Sequence, residues 1–135
     1  MLSSIPQRGF PQSEFEHRAQ KAQRIMNEEK LDAILLTTEP NVRYFSGFLT
    51  QFWQSPTRPW FLIVPREGDL IAVIPEIGRA GMESTWVNDI RTWASPCPED
   101  DGINLLAQAL SEVAIHFGRI GVTLGQESHL RMPAN

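Results

Sequence analysis

Apolar residues return along the first part of the chain at the spacing of a helix, then give way to an unbroken apolar run. Phe15, Ala19, Ala22 and Met26 stand at steps of four, three and four, one face of a helix over about residues 13–29. Ser13 and Glu16 have the spacing of a capping box, a serine oxygen for an early helix N–H and a glutamate reaching back. Residues 32–37 (DAILLT) are short and almost wholly apolar, the pattern of a strand covered on both faces. Residues 60–75 hold two β-branched runs, WFLIVP and LIAVIP, around Arg66-Glu67-Gly68-Asp69. That is a hairpin with glycine available in the turn for positive φ. Pro65 and Pro75 end the two runs, where a missing N–H matters least.

Residues 76–85 suit a short helix, although Gly78 and Gly81 weaken it. Residues 88–94 alternate as a strand. Ile103, Leu106, Ala109, Leu110, Val113 and Phe117 then form the apolar stripe of a second long helix, with Asp100 or Asp101 expected as its cap and Gly118 as its end. Residues 119–124 (RIGVTL) make a last strand. Helix, strand, hairpin, strand, helix and strand predict an α/β fold, with a mixed, partly antiparallel sheet flanked by helices. Residues 1–12, with two prolines and a glycine, read as an irregular lead-in to one domain over residues 13–135.

Composition narrows the classes of function. At 135 residues, 41% hydrophobic and 21% charged, the chain is long enough for a core of its own. A net charge of −4 with scattered Lys and Arg gives no basic field for a nucleic-acid partner. No stretch approaches the roughly 18 to 20 apolar residues of a membrane span, and the N-terminus has no signal-peptide pattern. The cytoplasm is the expected compartment. Cys97, the single cysteine, reads as an incidental loop residue.

Chemistry-bearing residues are sparse. His17, His116 and His129 share no ligand spacing and read as solvated. Glu99, Asp100 and Asp101 precede a helix, where negative charge is favoured by the free N–H groups, so capping explains them without a metal. No nucleophile elbow and no glycine-rich phosphate loop is present. Trp60 and Trp93 fit strand cores. Trp53 instead lies in FLTQFWQSPTRPW, a polar and aromatic stretch with an arginine, suited to a binding edge.

One segment is more specific. After residues 32–37 the chain reads TEPNVRYFSGF. Pro40 is expected to stop the strand and hold Glu39 extended, and Asn41 to cap a short helical turn. Val42, Tyr44 and Phe45 would pack that turn against the sheet, and Gly47 would let the chain reverse. Pro40, Asn41, Tyr44, Ser46, Gly47 and Phe48, together with the order of elements, resemble the N-terminal domain of the creatinase, prolidase and aminopeptidase P family.

The resemblance implies a creatinase N-terminal-domain-like fold with ribonuclease H-like layers. It also implies a larger parent, of which this chain is a non-catalytic fragment without metal ligands. The parent would be a metal-dependent hydrolase of C–N bonds, acting on Xaa-Pro peptides or a small creatine-like compound. A C-terminal catalytic domain of the same chain would hold two divalent ions (manganese, cobalt or zinc), and a homodimer is expected. The N-terminal domain would cap the active site and support dimer contacts. In creatinase-like members an arginine just before the hairpin reaches a neighbouring subunit's site and binds the substrate carboxylate. Arg58 stands at the corresponding place, and Arg58 and Trp53 are the implied substrate-binding residues. The alternative is a protein-interaction module of a catalytically inactive relative, as in histone-chaperone subunits.

Overall fold

The computed structural model describes residues 9–51 and 59–123. Along the described residues the elements are α1 (Gln12–Glu29), β1 (Ala33–Leu36), α2 (Glu39–Ser46), β2 (Phe61–Pro65), β3 (Ile71–Pro75), a 3-10 turn (Glu76–Gly78), α3 (Arg79–Glu83), β4 (Asp89–Trp93), α4 (Ile103–Val113) and β5 (Ile120–Val122). The strands form one mixed sheet in the order β4-β3-β2-β1-β5. β2 runs antiparallel to both β1 and β3, while β4 and β5 lie parallel to β3 and β1. The expected mixed α/β architecture is the one found.

Alternation along the strands divides the core in two. Leu36, Leu62, Val64, Ala72 and Ile74 turn to one face and meet Ala19 and Met26 of α1, Val42 of α2 and Met82 of α3. Ala33, Leu35, Phe61, Ile63, Ile71 and Val73 turn to the other and meet Leu106 and Ala109 of α4. Each fully buried Leu, Ile, Val or Phe contributes about 1.5–3 kcal/mol, so these two layers are the main source of stability. β2 and β3 are buried along their whole length, which explains why neither alternates in sequence. Polar groups of α1 tie down the hairpin turn, with Gln23 Nε2 donating to the carbonyls of Pro65 (3.1 Å) and Gly68 (3.0 Å).

The helix ends differ from expectation. α1 begins at Gln12 with Pro11 at its N-cap and no side-chain cap bond, so Ser13 lies inside the first turn instead of capping it. In α2 the extended residue is Thr38 (φ −109°, ψ 151°), and both Glu39 and Asn41 are helical. Pro40 sits in the first turn, where a missing N–H forfeits no helical bond, so the helix starts before the proline and Asn41 is no cap. At α4 the N-cap is Gly102, at φ 83°. Asp100 still serves the helix by accepting the Asn104 N–H on Oδ1 at 2.9 Å, whereas Asp101 Oδ1 accepts the Cys97 N–H. α4 stops at Val113, not at Phe117. The N–H groups of Phe117 and Gly118 are taken by the Asp32 carboxylate, at 2.8 and 2.6 Å, in place of helix carbonyls.

Candidate functional site

Pairing brings one set of strand ends together. Leu36 of β1 lies beside Leu62 near the start of β2, Phe61 beside Val73, Pro75 beside Trp93, and Leu35 beside Val122. The carboxyl ends of β1, β3, β4 and β5 therefore share one edge with the amino end of β2. In open α/β sheets, ligands bind outside the carboxyl ends of the strands. The chain leaves the described residues at Gln51 and re-enters at Pro59, just ahead of β2.

The TEPNVRYFSGF segment builds this edge. Ser46 Oγ donates to the Val42 carbonyl (2.6 Å) and accepts the Phe48 N–H (3.0 Å), closing the last turn of α2. Gly47 follows in the left-handed region at φ 79°, which turns the chain so that Phe48 enters the core, 2% exposed. The Phe48 and Trp60 rings then meet at 5.4 Å between centroids. The 3-10 turn and α3 close over them through one glycine each: a Cβ on Gly78 would stand 2.1 Å from the Trp60 ring, and one on Gly81 3.1 Å from Phe48. Read in the sequence as weaknesses of a helix, these two glycines are the places where aromatic rings press on backbone. The signal was their spacing of three, which puts both on one helical face. Trp86 Nε1 adds a bond of 2.8 Å to the Phe45 carbonyl.

Two arginines on the neighbouring elements are each held by other groups of the fold. Arg79 donates to Glu76 Oε1 (3.0 Å) and to Thr92 Oγ1 (2.8 Å), and the Thr92 hydroxyl donates to Glu76 Oε2. The Thr92 hydroxyl and the Arg79 guanidinium together hold the Glu76 carboxyl below its ordinary range. On α1, Arg18 lies over the rings of Tyr44 (4.3 Å), Phe10 (4.6 Å) and Phe15 (5.2 Å) and donates to the Tyr44 carbonyl at 2.8 Å. Tyr44 thus stacks on an arginine and stays half exposed, where packing on the sheet was expected. Both arginines are committed to the fold and are not free anion receptors.

The residues proposed from sequence for substrate, Trp53 and Arg58, lie outside the described residues, as does His129. Among the described residues, no group of three His, Cys, Asp or Glu side chains is placed to hold a metal ion. Glu76, Asp89 and Glu112 each bond an arginine instead. No described helix is long and apolar enough to cross a membrane.

The model of the Creatinase/Prolidase N-terminal domain matches residues 18–131. The chain belongs to that family. Its fold is also that of solved family structures. The N-terminal domain of an Xaa-Pro dipeptidase from Lactobacillus brevis superposes with a TM-score of 0.67 at 14% identity, covering 84% of this chain and 81% of that one. A proline dipeptidase from Streptococcus pneumoniae gives 0.64 at 19%, covering 78% and 72%. A dipeptidase from Mycobacterium ulcerans gives 0.62 at 20%, covering 84% of this chain and only 35% of that one. The chain thus spans about a third of the length of that dipeptidase. No curated protein matches the sequence.

Proposed function

We propose that this family member is the non-catalytic N-terminal domain of a two-domain, cytoplasmic metallohydrolase, a homodimer that cleaves Xaa-Pro peptides or a small creatine-like C–N substrate. A C-terminal domain of the same chain would supply metal-assisted hydrolysis. Residues 13–135 would cap its active site and support the dimer. The observation that carries this reading is the shared strand-end edge, where the buried Pro59 leads into β2 one residue after Arg58 in sequence. An arginine at such a place suits a substrate carboxylate, because its planar fork makes two parallel bonds.

The test is an assay of the full-length parent and of the 135-residue chain, each with manganese, cobalt or zinc, on Xaa-Pro peptides and on creatine. The parent is expected to turn over one of the two substrate classes, and the chain alone neither. Turnover that copurifies with the isolated chain would overturn the non-catalytic assignment. A parent that hydrolyses neither and binds a protein instead would favour the interaction module.

A further inference from the structure

β5 carries little apolar burial of its own. Ile120 and Gly121 are half-buried, Val122 is 42% exposed, and Ile115 in the preceding connection is 81% exposed. Among the described residues β5 pairs with β1 alone, over three residues. What fastens it is Asp32, at the entrance to β1. The Asp32 side chain, 1% exposed, accepts two N–H bonds from the connection, those of Phe117 and Gly118. Its own N–H donates to the Arg119 carbonyl at 2.8 Å, and its carbonyl accepts the Arg66 N–H at 2.7 Å. Two further described side-chain contacts reach this stretch: the Arg66 guanidinium lies over the Phe117 ring at 5.6 Å, and Arg119 Nη1, exposed, donates to the Glu29 carbonyl at 3.3 Å.

We propose that residues 114–122 form a latched unit, which opens while β1 to β4 stay folded, with the Asp32 carboxylate as its catch. Segments with few buried apolar contacts open locally at lower free energy than the core, and among the described residues this one is bonded by one buried carboxylate, that of Asp32. The groups facing Asp32 are known from each neighbouring element. Arg66 of the hairpin turn brings Nε to 4.0 Å from Oδ1. Glu67 of that turn and Glu112 of α4 share with Asp32 the wall of an open depression of about 180 Å³. His116 and Arg119 lie on the connection itself. Glu67 is bonded by Arg66 and Glu112 by Arg91, so neither carboxylate bonds the latch.

Burial pushes the Asp32 pKa up, but the N–H groups of Gly118, Phe117, His116 and Arg119 outweigh it and hold the carboxyl below its ordinary value of 3.8. With the folded pKa depressed, the stabilisation is complete above the unfolded value and is lost as pH falls through the folded one. The latch therefore loosens on the acid side of 3.8.

The test is amide hydrogen exchange of the 135-residue chain by NMR, corrected for intrinsic rates, from neutral pH into that acid window. The β5 amides are expected to exchange at least roughly tenfold faster than those of β2 and β3 at neutral pH, as a separately opening unit should. That ratio should widen as Asp32 protonates. Asp32→Asn keeps an acceptor but cannot titrate, so its ratio should stay flat over the same range. Equal exchange in β5 and the core at every pH, a wild-type ratio that ignores acid, or an Asn variant that reproduces the wild-type acid response would each overturn the latch.

Discussion

Gly47 carries the chain through φ 79° between the end of α2 and the buried Phe48 ring. A β-branched residue there must hold a conformation that L side chains avoid, and the neighbouring Ser46 bonds leave little room to relax. Gly47→Val should therefore lower stability by about 1–3 kcal/mol, read from the midpoint of denaturant unfolding. Cys97→Ser should change it by less than about 0.5 kcal/mol, since Cys97 is only partly buried and its Sγ contact to Glu99 is long, at 3.8 Å. Equal losses in the two variants would mean that the corner is not strained. Gly47 was legible because a glycine between Ser46 and Phe48, directly after a helical turn, has few other uses. Asp32 was not: in sequence it is only a charge opening an apolar run, and its N–H partners lie 85 and 86 residues away. Arg18 was hidden for the same reason, its rings coming from the lead-in, α1 and α2 together.

At the scale of elements, apolar periodicity located the helices and strands, because burial is what periodicity records. Phe15, Ala19 and Met26 face the core as their spacing implies, and β2 and β3 flank the expected turn. The ends were less legible, since several nearby polar residues compete for the same few free N–H groups. Ser13 looked like a cap and lies within the helix, whereas Asp100 bonds a helical N–H from outside the N-cap position. Truncation separates the two. Asp100→Ala should cost about 0.5–2 kcal/mol, the usual loss of a capping oxygen, and Ser13→Ala less than about 0.5 kcal/mol. Thermal or denaturant unfolding of both variants reads this directly, and a larger loss from Ser13→Ala would restore the capping box.

Over the whole molecule, antiparallel pairing on both sides of β2 is what makes the edge. It sets the amino end of β2, and with it Pro59, among the carboxyl ends of its neighbours. The layers were readable from the sequence, but this convergence was not, because strand order depends on pairings that no local pattern specifies. It bears on Arg58, one residue before the buried Pro59. If Arg58 binds a substrate carboxylate in the parent, Arg58→Ala should raise KM roughly tenfold or more, the loss of about 1.5 kcal/mol of charge-assisted bonding. Arg58→Lys should recover only part, because an ammonium lacks the paired donors of the fork. Trp53→Ala should weaken binding in the same direction but less. On this reading stability should hardly move in any of the three, and the dimer should stay intact by light scattering. Steady-state kinetics of the full-length variants decide the matter: an unchanged KM in Arg58→Ala, with the dimer preserved, would remove Arg58 from the substrate site.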